Sequence, residues 1–232
     1  MKQEQFIELA GGVFKNNEYY NDWSGQDKYN NFWAFFDSEY GAIKAIYDGI
    51  TISELRQKQR HSIEHIFPKG DIKTYLQRKE NIPENIIKGS TTNPLNFAAA
   101  HRTVNSYRGS LPFDIENDEI RYRLQLDPPE FYTDWGRDHE NEWVVPHISR
   151  GNVARTMLYM ALVYDVKILP EHVNTYRYWS KSDLPERWEV EYNEWVFEKH
   201  NIRNPFAIYD VEKMVQLLND EELYLNIIIG NE

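Results

Sequence analysis

Apolar positions follow two regimes along the chain. Trp33, Phe36 and Tyr40, then Ile43, Ile46 and Tyr47, recur at the three-to-four-residue spacing of a helix face, and Ile52 with Leu55 begins another turn. The run His61 to Phe67 is short, β-branched and aromatic and stops at Pro68, which predicts a strand. A long polar connection follows through Ile82-Pro83 and Lys88-Gly89. Asn93 to Phe97 then suits a second strand. Ala98 to Asn105 starts with good helix formers and ends near Gly109, which predicts a helix. Strand, long loop, strand and helix therefore succeed one another over about residues 59–110.

The second half is more plainly helical. Val153, Ala154, Met157, Leu158, Ala161 and Leu162 make an apolar face across Gly151 to Tyr164. Trp188, Tyr192 and Trp195 mark a stripe on a helix from Arg187 to Lys199, and Val211 to Leu218 is amphipathic. Leu223 to Ile229 suits a strand or a helix equally. With 232 residues the chain fits one domain with a full core. The expected class is α+β, mostly helical, over residues 1–232, with an extension at about 207–232.

Composition narrows the chemistry. The chain has no cysteine, which excludes disulfides, thiol nucleophiles and zinc–thiolate sites. The opening MKQEQFIELAGG lacks an apolar core of signal-peptide length, and no later run has membrane-spanning length. A cytoplasmic protein with no membrane partner is expected. The net charge of −11 argues against general affinity for nucleic acid, but its distribution changes that picture. Residues 56 to 108 hold ten Lys or Arg against four Asp or Glu. A basic segment inside an acidic protein points to one localised anionic ligand.

The same segment holds a set of groups suited to phosphodiester hydrolysis. Glu64 offers hard oxygen ligands for a divalent cation such as Mg²⁺. His65 beside it has the pKa range to take a proton from water near pH 7. Asn105, on the following helix, has a side-chain carbonyl oxygen that can serve as a second ligand. A Glu-His pair alone carries little information. The ordered appearance of all three in strand, loop, strand and helix carries more.

Ile63-Glu64-His65-Ile66-Phe67-Pro68 resembles the Glu-His-x-x-Pro signature of the bacterial endonuclease I family, whose members are ββα-metal (His-Me finger) nucleases. Asn96-Phe97, then Val104-Asn105-Ser106-Tyr107-Arg108-Gly109, is similar to that family's second strand and helix. Gly151-Asn152-Val153-Ala154-Arg155, with Tyr159-Met160 and Tyr164, resembles its Gly-Asp-x-Ala-Arg helix. Asn201-Ile202-Arg203-Asn204-Pro205-Phe206 resembles its closing Asn-Arg-Asn-Pro-Phe. The four matches come in order and span residues 63 to 206.

The resemblance implies a metal-dependent endonuclease acting on DNA, with RNA left open as a substrate. It implies His65 as general base, and Glu64 with Asn105 as ligands of one Mg²⁺, for which Mn²⁺ or Ca²⁺ can substitute. It implies Asn96 as a residue that holds the hairpin and orients His65 through the backbone. Arg108 is a candidate phosphate contact. The family also holds the scissile phosphate with a loop arginine, for which Arg78 is the first candidate here and Lys88 the second. Arg155 and Arg203 are expected in buried ion pairs beneath the site. The chain departs from the family in lacking cysteine and a secretion-type opening, and in the residues that run past Phe206. Two other readings stay open: a nucleic-acid-binding protein without catalysis, and a site-specific nuclease of restriction or homing type. An inhibitor or regulatory protein is a conceivable partner, and the oligomeric state is not legible.

Overall fold

The computed structural model describes residues 1–12, 24–38, 40–115, 136–138, 140 and 142–230. Its centre is a helix, α7 (Arg150–Tyr164). The sequence predicts one apolar face for this segment, but every residue from Val153 to Tyr164 is buried. Neighbours surround it on all sides. These are α8 (Pro170–Ser182), α1 (Gln3–Leu9) and a 3₁₀ turn over Pro94–Asn96. Truncating a large α7 side chain to Ala would cost about 2–5 kcal/mol on that account.

Motif residues explain how α7 is held. A Cβ added to Gly151 would lie 2.0 Å from the Asp183 carbonyl oxygen, so only glycine lets the end of α8 approach this closely. The Gly151 amide donates to the Asp183 side chain at 2.7 Å. Arg155 is buried and grips Glu189 of α9 (Arg187–His200) with two parallel bonds of 2.7 and 2.6 Å. Asn204 donates to the Arg155 carbonyl at 3.2 Å and is itself anchored by Asn193. Arg203 differs from expectation. It is about one-third exposed, lies over the Phe197 ring, and only approaches Glu194 at 3.8 Å.

Residues after Phe206 fold back onto the domain. Helix α10 (Val211–Asn219) packs on α8, and α11 (Glu221–Tyr224) packs on α1. The ambiguous stretch from Leu223 resolves into α11 and a 3₁₀ turn over Leu225–Ile227, followed by a bridge from Ile228 to Ile168. Helices α1 and α8 have no counterpart in the sequence reading. Among the described residues, no helix is long and apolar enough to cross a membrane.

The other half of the fold is a two-stranded antiparallel ribbon, β1 (His61–His65) against β2 (Phe97–His101), covered by α6 (Arg102–Arg108). Three expectations shift here. The second strand starts at Phe97 rather than Asn93, because Pro94 sits at the first position of the 3₁₀ turn and the Asn93 side chain caps it. Ala98 to Ala100 are strand rather than helix, since pairing to Ile63 and its neighbours overrides their helical propensity. The long polar connection contains α4 (Lys69–Arg78) and α5 (Glu84–Thr92), each entered from a proline and burying Ile72 with Leu76, or Ile86.

Helix α2 (Gly25–Ser38) includes Trp33 and Phe36 as expected. Ile43 to Tyr47, however, is no helix. Lys44 bridges to Thr51 around an Asp48-Gly49 turn, and Ile46 donates to the Ala99 carbonyl at 2.9 Å. Gly49 takes the positive φ that this turn needs, and Asp48 accepts the Ile50 amide. This turn delivers Tyr47 to the ribbon. The chain then enters α3 (Ile52–Gln57) through a Thr51–Glu54 capping box. The remaining strands, β3 (Gly136–Arg137) and β4 (Trp143–Val144), form a separate short pair.

Candidate active site

Side chains alternate across a strand, so Ser62 and Glu64 leave β1 on one face, and Ile63 and His65 on the other. Helix α6 lies against the ribbon. From it, the Asn105 amide nitrogen donates to Ser62 Oγ at 3.0 Å and to the Ile63 carbonyl at 3.1 Å. Both donor hydrogens are used, which leaves the Asn105 carbonyl oxygen as the group that can accept.

Glu64 is 2% exposed. Tyr47 Oη donates to its Oε1 at 3.0 Å, and Arg108 Nη1 donates to the same oxygen at 2.8 Å. Burial nevertheless raises its pKa to about 7, outweighing Arg108, Tyr47 and the His65 amide, which all pull it down. The negative charge is thus only partly compensated. A divalent cation on Glu64 and the Asn105 carbonyl would supply the missing charge, and two hard oxygens suit Mg²⁺.

Arg108 is turned inward, 1% exposed, although the sequence suggested a phosphate contact. It donates to the carbonyls of His65 and Ile66 at 3.1 Å each, and its guanidinium lies 4.5 Å from the centre of the Phe113 ring. These carbonyls lie where β1 runs out of strand partners, so Arg108 clasps the strand end while it holds Glu64. Asn96 clasps the same exit from the other side. It is fully buried, accepts from the Phe67 amide at 2.7 Å and donates to the Phe67 carbonyl at 2.9 Å.

On the opposite face, His65 Nε2 lies 3.3 Å from the Thr91 carbonyl oxygen. A carbonyl can only accept, so Nε2 carries the proton and Nδ1 keeps its lone pair. The imidazole meets Phe97, its cross-strand partner, edge-on at 4.9 Å. Burial lowers its pKa to about 4, aided by Lys28, Lys69 and Arg108 and opposed by Thr91. His65 is therefore neutral at pH 7, a weaker base than an ordinary imidazole but fully available.

The structure thus gathers Glu64, His65, Asn96, Asn105 and Arg108 around one strand end. It does not gather Arg78, which is exposed at the last residue of α4, about 14 Å along the helix from Lys69 at 1.5 Å per residue. Lys88 is exposed and pairs with Glu84 at 3.0 Å. His61 contacts Arg56 and Trp33 at the far end of β1, and His101 caps α6 through the Thr103 amide. Sequence reasoning missed Tyr47, Thr91, Lys28 and Lys69. No motif flags them, and Tyr47 was hidden by the helical spacing of its neighbours.

A second acidic group lies elsewhere. Asp114, Asp138 and Glu142 bring oxygens within 4.8 Å of one another, but Asp138 already accepts the Glu140 and Glu142 amides and so organises the β3–β4 connection.

No curated protein matches the chain. The family model for Endonuclease I matches residues 13–209, which takes in the ribbon, α7 and the Asn-Pro-Phe segment. With that match covering most of its length, the chain belongs to the Endonuclease I family, a family of nucleases.

Proposed function

We propose that this protein is a metal-dependent endonuclease that hydrolyses phosphodiester bonds of DNA, with RNA as a second substrate. His65 is the general base, and Glu64 with Asn105 holds one divalent ion, Mg²⁺ under cellular conditions. The observation that carries this reading is the opposition of functions across β1. Strand alternation sends His65 to one face and Glu64 to the other, and on the Glu64 face Asn105 reaches Ser62 from α6. In-line displacement puts the attacking water and the leaving oxygen on opposite sides of the phosphorus, and a phosphate lying across the strand end would meet the base on one side and the ion on the other.

The bound ion would supply Lewis-acid stabilisation of charge on the phosphate and the leaving 3′ oxygen. His65 Nδ1 takes the proton of the attacking water. Thr91 fixes the ring's tautomer, and Phe97 fixes its tilt. Arg108, Tyr47 and Asn96 are positioning residues: the first two orient Glu64, and Arg108 with Asn96 holds the backbone on which both functional side chains sit. Contacts directed at the backbone of the substrate would make cleavage sequence-tolerant and salt-sensitive.

The test is nicking of supercoiled plasmid with and without Mg²⁺, comparing the wild type with His65→Ala. Magnesium-dependent nicking that falls by roughly 10²-fold or more in the variant is expected for loss of a general base. Salt-sensitive DNA binding with no cleavage under any divalent metal would select the non-catalytic binding protein instead. Discrete fragments would mark a site-specific enzyme, and a smear a nonspecific one.

A further inference from the structure

Two lysines that belong to no motif converge on His65. Lys28 projects from α2, half-buried, with Nζ 5.5 Å from the centre of the Phe97 ring. That is the ring His65 meets edge-on. Lys69 opens α4, four residues beyond His65, and is exposed. The two ammonium groups lie near enough to repel each other.

Their position beside the Phe97–His65 pair sets them apart from other cations unpaired among the described residues, such as Lys73 and Arg78. Arg56, Lys79 and Lys88 each have a carboxylate within 3.0 Å. Among the described residues, neither Lys28 nor Lys69 has one. The nearby acid in the first turn of α4, Asp71, feels Arg108 instead. A half-buried cation with a second cation beside it is unfavourable until an anion arrives. On the face of the general base, the anion that fits is the phosphate being cut.

Resting on the nuclease reading above, we infer that Lys28 and Lys69 clamp the scissile phosphate from the His65 side, at the strand end that the ion on Glu64 would also reach. The clamp comes from a helix outside the ββα element together with the first residue of the long connection. Arg78 and Lys88, deeper in that connection, take no part.

The test is binding of a short duplex DNA in EDTA, where nothing is cut, over a range of salt concentrations. The proteins are the wild type, Lys28→Gln, Lys69→Gln, the double variant, and Lys73→Gln as an exposed control on the same helix. Each clamp variant should lower the slope of log affinity against log salt by about 0.9, and the double variant by about twice that. Lys73→Gln should leave it unchanged. With Mg²⁺, Lys28→Gln should cleave at least tenfold more slowly and Lys28→Arg should recover most of that loss. Because Lys69 is exposed, its variant keeps the test open even where Lys28→Gln loosens α2. Wild-type cleavage with slopes unmoved in both single variants, or moved equally by Lys73→Gln, overturns the clamp and leaves the nuclease. Lysine-dependent binding by a chain that never cuts overturns the nuclease reading and, with it, the scissile role.

Discussion

Two buried arginine–glutamate pairs hold the two halves of this molecule, and they are built differently. Beneath the core, Arg155 meets Glu189 through a two-bond fork, and its remaining nitrogen reaches the carbonyls of Ser180 and Asp183. At the ribbon, Arg108 touches Glu64 through one oxygen, shares that oxygen with Tyr47, and leaves its own Nε without a partner among the described residues. Burial, only partly offset by these contacts, holds the Glu64 pKa at about 7. A satisfied pair is scaffold. An under-satisfied pair keeps capacity for another charge, and it is the one beside the candidate base. Asp48 extends the series: it is 3% exposed and, among the described residues, has no cation partner and keeps Oδ2 without a hydrogen bond.

Breaking the scaffold pair should have the largest effect. Arg155→Met leaves Glu189 without its fork, and loss of one partner of a buried pair costs about 3–5 kcal/mol. Denaturant melts should show that loss, and activity per folded molecule should be unchanged. Glu64→Gln sharpens the contrast. Loss of a metal ligand should slow cleavage by roughly 10²-fold or more. It should also abolish the rise in melting temperature that Mg²⁺ gives the wild type by binding the native state. Differential scanning fluorimetry with and without Mg²⁺ checks the second point. A Mg²⁺ shift that survives in Glu64→Gln would move the ion elsewhere, with the Asp114–Asp138–Glu142 group as the next place to look.

The smallest effect concerns Asp48, whose pKa rises from 3.8 to about 6, chiefly through burial. A group raised on folding contributes fully below its unfolded pKa and loses that contribution as pH climbs through the folded one. Wild-type stability should therefore fall by roughly 2–3 kcal/mol between about pH 4 and pH 6 on this account. Asp48→Asn should remove that slope and melt higher than the wild type near pH 8. Equal melting curves at pH 4 and pH 8 would show that the carboxylate is solvated.

Much of the candidate site was legible because its residues are tied to local pattern. Glu64, His65, Asn96 and Asn105 stand at fixed offsets in a strand–strand–helix order, and Gly151 and Arg155 fill places where only a missing Cβ or a fork will do. What escaped was decided by tertiary contact. Ala98 to Ala100 read as helix until β1 claimed them, and Ile43 to Tyr47 until the Asp48-Gly49 turn folded them back. Arg108 has the same residue type and spacing whether it faces solvent or Glu64, so only burial separates the two. Lys28 lies outside the basic segment altogether, and a helix from elsewhere brings it in.

The division of labour across β1 is tested most directly with a DNA substrate whose scissile 3′ oxygen is replaced by sulfur. Sulfur leaves readily and needs little help, whereas the attacking water still needs a base. Single-turnover cleavage of the oxygen and sulfur substrates should be compared for the wild type, Glu64→Gln and His65→Ala. The expected result is a Glu64→Gln defect that shrinks at least tenfold on the sulfur substrate, beside a His65→Ala defect that stays as large as on oxygen. Defects that shrink together, or a His65→Ala defect that vanishes while that of Glu64→Gln persists, would contradict the assignment of base and metal to opposite faces of the strand.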